Sequence, residues 1–338
     1  MIGDKKQSIA LVGAGGMGKR WIGAIQKSPE LVLSVVCDKD TVSAERALGD
    51  NVSGVLISND WREIARSPSI DAVIIVLPHS LLAPVSAVFL KNKKHVLCEK
   101  PGGITTKEIR NNITLARTHQ VRYMVGFNHR FHDGFLKARR YFNQGVIGEP
   151  LFIRSRYGFG GRKGYDKEWR LDKKRGGGEL LDQGVHMIDL IRWFFGDITE
   201  VQGFAKNLFW GGTAEDNAFV LLKNKKGKLA SMHVSLSMWK ANHVFEIYGT
   251  KGYLVIDGLG RKYLGDYGGG EKLIIGQRTK NFKAKEKIIS CGRDADKSLE
   301  REVREFVASI KEKRTPSPGG IDAIKTLEIV KKIYAQNK

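Results

Sequence analysis

Short apolar runs alternate with amphipathic stretches through the first third of the chain. Apolar, β-branched runs fall at residues 9–12, 31–37, 55–57, 72–77, 95–98 and 123–126, and helical periodicity fills the gaps at 17–27, 43–48, 61–66, 81–91 and 106–118. Strands that are apolar throughout are buried on both faces, and helices between them make βαβ crossovers. Six such strands predict a doubly wound parallel sheet. After residue 126 the rhythm changes. Helical periodicity returns at 131–142 and strongly at 179–195, and strands then follow one another at 201–209, 218–223, 229–236, 244–248 and 253–256. The segments "KNKKGK" and "YGTKGYLVID" read as hairpin turns. Consecutive hairpins predict a mainly antiparallel sheet with one apolar face. Two helices at 299–311 and 321–334, split by "TPSPGG", close the chain. The expected fold is α/β, with a dinucleotide-binding domain over 1–127 and an α+β domain with an open antiparallel sheet over 128–338. The last two helices are free to join either domain.

The first strand runs into "IALVGAGGMG", which spells Gly13-x-Gly15-x-x-Gly18. A basic start before an apolar run also resembles a secretory leader, but a leader explains neither the glycine turn nor the later strands. Strand, turn, helix and a second strand ending in an acid form the Rossmann fingerprint. The acid is Asp38, 20 residues past Gly18. Gly13 permits the tight turn, Gly15 lets the backbone approach a pyrophosphate, and Gly18 packs helix on strand. The helix N-terminus offers unpaired N–H groups to phosphate, so Gly16 and Met17 join the expected cofactor contacts. A carboxylate at Asp38 bonds ribose hydroxyls and repels a 2′-phosphate, which favours NAD, while the adjacent Lys39 offsets that repulsion and leaves NADP open.

The 338 residues contain 57 Lys and Arg against 36 Asp and Glu, a net charge of +21. The excess sits in short clusters, such as 223–228 and 283–287, and not in one tail or a zinc-finger frame. An anionic small molecule is therefore expected in preference to nucleic acid. No run approaches the ~18 apolar residues of a membrane helix. The three cysteines, Cys37, Cys98 and Cys291, lie too far apart in sequence for CxxC spacing. That pattern suggests no metal site and no disulfide framework, and fits a reducing cytoplasm.

Ligands of open α/β sheets bind beyond the carboxyl ends of the strands. Those ends carry Leu77-Pro78-His79, Glu99-Lys100-Pro101 and Asn128-His129-Arg130. A second constellation is "GGGELLDQGVHMIDLIRWFF", where Asp182, His186 and Asp189 fall at i, i+4 and i+7 on an otherwise apolar helix. Burying two carboxylates and an imidazole is costly. Three polar residues on one stripe behind a triple glycine point to a site in preference to capping and a satisfied core histidine.

The chain resembles the GFO/IDH/MocA oxidoreductases, the glucose–fructose oxidoreductase and inositol dehydrogenase family, in "GAGGMG", "HVLCEKPGG", "VGFNHRF", "RSRYG", "EWRLDKKRGGGELLDQGVHMIDL" and "EIYGTKGYLVIDG". The resemblance implies a nucleotide domain followed by an α/β domain whose open sheet face commonly forms the oligomer contact, and so a homodimer or homotetramer. It implies that Lys100, Asp182 and His186 are catalytic, and that Asn128, Arg156, Tyr157, Trp169 and Arg170 meet substrate or shape the pocket. His129 stands where arginine is common in the family. Oxidising a secondary alcohol needs a base for the O–H proton, and His186 suits neutral pH. Lys100 can steady charge growing on the oxygen. Tyr157, Trp169 and Trp239 suit stacking on a sugar ring. The expected activity is NAD(P)-dependent hydride transfer to or from a sugar, sugar derivative or cyclic polyol, with an anionic or nucleotide-linked substrate favoured by the charge. The alternatives are a regulatory protein that senses NAD(P) without turnover, and an NADPH-dependent carbonyl reductase resembling dihydrodiol dehydrogenases.

Overall fold

The computed structural model describes residues 6–49, 53–259, 270–291 and 296–337. The chain divides into two compact units, Met1–Phe127 with Leu299–Ile324 and Asn128–Ser298 with Lys325–Lys338. The segment Leu299–Ile324 thus groups with the first unit; it holds much of the two closing helices that the sequence leaves free to join either domain.

The first unit opens with β1 (Gln7–Val12), α1 (Gly16–Gln26), β2 (Leu31–Cys37), α2 (Thr41–Leu48), β3 (Leu56–Ser58) and α3 (Trp61–Arg66). It continues with β4 (Ala72–Ile75), α4 (His79–Lys91), β5 (His95–Glu99), α5 (Thr106–Thr118) and β6 (Tyr123–Gly126). The six strands are parallel in the order β3-β2-β1-β4-β5-β6, the doubly wound arrangement that the alternating pattern predicts. The strand order reverses between β1 and β4, where Ile9 pairs with Ala72 and Val12 with Ile75. Every residue of β4 is buried, which is why its apolar run shows no alternation. Side chains fix the helix starts: Asp40 accepts from Val42 N, Asp60 from Arg62 N, and Thr105 and Glu108 form a reciprocal capping box.

The second unit contains α6 (Asp133–Asn143), β7 (Pro150–Gly158), and α7 (Val185–Phe195) preceded by a π-helical turn over Leu180–Gly184. Then come β8 (Ile198–Lys206), β9 (Asn217–Asn224), β10 (Leu229–Ser235), β11 (Asn242–Gly249), β12 (Gly252–Asp257), β13 (Lys272–Arg278) and β14 (Ala284–Ser290). Their order is β14-β13-β12-β11-β7-β10-β9-β8, antiparallel except for the β7–β10 pair. Both hairpins read from the sequence form, β9–β10 and β11–β12. Three strands were not legible there. β7, the central one, alternates buried Ile153, Ser155 and Tyr157 with exposed Phe152, Arg154 and Arg156. β13 carries a short apolar core, and β14 is the lysine-rich 283–287 stretch drawn out along the sheet edge. An edge strand studded with lysines discourages pairing with another chain. β8 ends at Lys206, so Phe209 belongs to the loop that follows. Helices α6 and α7 cover one face of this sheet, and the other stays open. Two helices complete the chain, α8 (Ser298–Lys311) and α9 (Gly320–Gln336). Among the described residues no helix is long and apolar enough to cross a membrane.

Candidate active site

In the first unit the glycine turn follows β1 directly. Gly13 N–H donates to Cys37 O at 2.8 Å, and its φ of +104° belongs to glycine. A Cβ on Gly13 would lie 2.0 Å from Val76 O, and one on Gly18 would lie 2.2 Å from Gly13 O. Nothing lies within 4 Å of a Cβ on Gly15 or Gly16. The outer two glycines are therefore demanded by the fold, while Gly15 and Gly16 face open space. Gly15 caps α1 with no side-chain hydrogen bond, and no acid stands in the first turn. A helix N-terminus with no acid in its first turn, behind a bare glycine backbone, is what a pyrophosphate requires.

Asp38 follows β2 directly, with its carboxylate turned back to this loop. Oδ2 accepts from Ala14 N at 2.7 Å and Oδ1 from Asp40 N at 3.1 Å. It thus fixes the turn as well as presenting a carboxylate beside it. Lys39 is exposed, and Met17 is half-buried with Arg20 Nη1 3.5 Å from its Sδ. Leu77 and Pro78 are half-buried before α4, and His79, its first residue, is buried. Glu99 closes β5, and Trp21 Nε1 donates to its Oε1 at 2.7 Å. Burial lifts the Glu99 carboxyl above the usual range, and Lys100, Trp21 and Arg20 pull it back. Half-buried Lys100 follows, before a cis bond to Pro101. The residues present fit a dinucleotide: an open glycine turn, a helix N-terminus and a carboxylate at the second strand. Burial raises the Cys37 and Cys98 thiols to about 12 each, so neither supplies a thiolate.

In the second unit the sequence places Asp182, His186 and Asp189 on one α-helical stripe, and the structure puts Asp182 in a different kind of turn from the other two. The turn carrying Asp182 is π-helical, and α7 begins only at Val185. Such wider turns are often found at functional positions. Asp182 is buried and accepts from Arg170 Nε at 2.9 Å. Arg170 Nη1 also bonds Glu168 Oε2 at 2.9 Å, and Arg162 reaches the same carboxylate. Burial opposes the Arg170 charge, but Asp182, Tyr165 and Glu168 outweigh it and hold the guanidinium above its ordinary range. The guanidinium carbon sits 4.8 Å from the Trp169 ring centre. Asp189 instead receives both Nε and Nη2 of Arg130, at 2.7 and 2.6 Å, in a buried bidentate pair. It braces α7 and is a structural carboxylate.

His186 is buried against His129, the rings stacked at 3.8 Å with 10° between planes. His129 also meets Tyr157 at 5.4 Å, His132 at 5.5 Å and His243 at 5.9 Å. Burial, reinforced by His132, drives His243 down to about 3, so it is neutral at working pH. Asn128 is buried and donates through Nδ2 to Ser298 Oγ at 3.1 Å. Tyr157 and Arg156 are neighbours on β7 and point to opposite faces. Tyr157 joins the histidine cluster, whereas Arg156 lies on the open face in a groove with Arg154, Phe219, His233 and Glu246. Arg156 and Tyr157 thus stand on opposite faces of the sheet. Trp239 is exposed and packs on Phe209 at 4.8 Å. The sequence reading missed His129, His132 and His243 as a group, although "NHRFH" sets two of them three residues apart. Among the described residues no group of three or more His, Cys, Asp or Glu side chains could hold a metal ion.

Comparison with known proteins agrees with these two halves. Residues 7–127 match the oxidoreductase family model with an NAD-binding Rossmann fold, and residues 135–255 match the GFO/IDH/MocA C-terminal domain. The chain belongs to the GFO/IDH/MocA oxidoreductase family. YrbE of Bacillus subtilis, an uncharacterised oxidoreductase, is 30% identical over 257 residues, 73% of this chain and 72% of that one. A levoglucosan dehydrogenase of Pseudarthrobacter phenanthrenivorans is 25% identical over 289 residues, 74% and 73% of the two chains. A solved levoglucosan dehydrogenase in complex with NADH has a TM-score of 0.85 at 21% identity, covering 98% of both chains. This GFO/IDH/MocA oxidoreductase thus has sugar dehydrogenases among its relatives, and its first unit is an NAD-binding Rossmann fold.

Proposed function

We propose that this oxidoreductase moves a hydride between NAD and a secondary alcohol of a sugar, sugar derivative or cyclic polyol. The observation that carries the reading is the buried Asp182–His186 turn. An imidazole and a carboxylate anchored by Arg170 sit in a helix that is otherwise apolar, within a chain that binds NAD. Gly15, Gly16, Met17 and the α1 N-terminus hold the pyrophosphate, and Asp38 with Lys39 meets the adenosine ribose. Leu77, Pro78, His79, Glu99 and Asn128 shape the rest of the cofactor site. The nicotinamide, when bound, supplies the hydride acceptor.

His186 takes the alcohol O–H proton as the C–H hydride leaves, and Lys100 steadies negative charge on the oxygen. Asp182, held by Arg170, bonds a neighbouring hydroxyl or fixes the imidazole. Tyr157 and Trp169 offer faces to a sugar ring. The reverse direction, carbonyl reduction, uses the same groups with His186 as acid. The net charge of +21 supports an anionic substrate such as a uronate or a nucleotide-linked sugar. The open sheet face, with Phe152, Phe204, Phe219 and Leu221 exposed, supports a homo-oligomer through that surface.

The test is turnover with NAD and NADP against levoglucosan, myo-inositol, glucuronate and UDP-glucose, read by nicotinamide absorbance in both directions. NADH formation with one of these, abolished in His186→Ala, is the expected result. Cofactor binding without turnover on any polyol or sugar would reject it.

A further inference from the structure

His129 lies at the centre of a buried group of rings: His186 on α7, Tyr157 on β7, His243 on β11 and His132 on its own segment. The His129 and His186 planes are parallel within 10° at 3.8 Å, a geometry in which neither ring can hydrogen-bond the other. They interact face to face and through space. Both rings are 1% exposed, so water does not screen a charge on one from the other.

Charged groups lie around the pair on more than one element, among them the buried Glu179 carboxylate three residues before Asp182. On the α7 side the Asp182 carboxylate is matched by Arg170 and Asp189 by Arg130. On the far side of His129, Glu271 and Asp296 each turn an oxygen toward His132 Nδ1, at 3.9 and 3.8 Å. Tyr157 brings no charge at neutral pH. His243 is already held neutral by burial. Two stacked imidazolium rings repel, so a proton on either ring of the pair disfavours one on the other.

From this we infer that His129 is a positioning residue for His186: it fixes the plane of that ring by stacking, and a proton on His129 disfavours one on His186. The inference rests on reading His186 as the base, and it predicts a coupled titration.

The experiment is a pH titration of the full-length protein labelled with 15N-histidine, followed by long-range 1H–15N spectra without substrate. The eight histidines are assigned by single substitution. His186 is expected to titrate in a broadened step in the wild type. In His129→Phe, which keeps the stack, and in His129→Gln, which removes it, its midpoint rises by about one pH unit, and the step sharpens to one proton. Melting temperature and NADH binding show that each variant is folded. A His186 midpoint and slope unchanged in both folded variants would overturn the inference. Because no turnover is measured, this failure is distinct from that of the catalytic reading, which is decided by the activity of His186→Ala.

Discussion

Arg170 Nε donates to the buried Asp182 carboxylate at 2.9 Å, and its other arm is held by Glu168. The guanidinium is part of what keeps an anion inside an apolar helix. Arg170→Leu should strand that carboxylate, and removing one partner of a buried pair costs about 3–5 kcal/mol. Here the cost should fall at the low end, because Arg170 is itself 28% exposed. The expected outcome is a lower melting temperature and a ~10–100-fold fall in kcat/KM, part of what a positioned base contributes. NADH affinity, read by fluorescence titration, should change little.

The glycine turn separates packing from binding. Gly13→Ala meets Val76 O at 2.0 Å and should destabilise the protein outright. Gly15→Ala meets nothing within 4 Å, so its melting temperature should match the wild type. Its methyl group instead occupies the approach of the pyrophosphate, and NADH affinity should drop ~10-fold or more, about 1.4 kcal/mol. Equal NADH affinity in the folded Gly15→Ala variant would remove the turn from the cofactor site.

Asp38→Ala removes the carboxylate that opposes a 2′-phosphate and also frees Ala14 N. The ratio of kcat/KM with NADP to that with NAD should rise by ~10-fold or more, since charge repulsion is lost while Lys39 stays. An unchanged ratio would confine Asp38 to its role in the turn.

Glu215 is half-buried against α9, accepting from Leu180 N at 3.0 Å and Tyr334 Oη at 2.8 Å. Burial lifts its carboxyl to about 7, with Tyr334 and the Leu180 amide holding it back. A raised folded value means that the native state binds a proton more tightly than the unfolded chain. The resulting stability is complete below the unfolded value of 4.5 and is lost as pH rises to about 7. The difference amounts to about 3 kcal/mol. Glu215→Gln should therefore remove a falling stability between about pH 5 and pH 7, and exceed the wild type at about pH 8 in urea unfolding.

The Arg130–Asp189 pair carries a comparable load. Arg130→Met should cost about 3–5 kcal/mol, and the double change Arg130→Met with Asp189→Leu should recover most of it. Urea unfolding of the three variants forms the cycle.

The first sheet was legible because its strands are buried on both faces and show continuous apolar runs. β7 was not, because the open sheet face admits both Phe152 and Arg156, which blurs the two-residue period. β14 has hardly any buried side chain to mark it. At the site, polar residues inside an apolar helix gave away Asp182 and His186. Their partners were hidden for a physical reason. Arg170 reaches Asp182 across irregular chain, and the ring stacked on His186 comes from a segment 57 residues earlier, 186 − 129. No local period encodes such a contact. Arg156 and Tyr157 read alike as neighbours in sequence, yet on the strand they face opposite ways.

The first unit is not finished at residue 127, since Leu299–Ile324 belongs to it. During synthesis its parallel sheet emerges early, yet the last piece of its own core leaves the ribosome some 170 residues later, 299 − 127 = 172. Phe306 and Val307, fully buried, are supplied only then. The nucleotide-binding half must wait, partly assembled, while the other half is being made. Domain-by-domain maturation from the N-terminus is closed to this chain, and a fragment cut after 127 lacks material that its own interior requires.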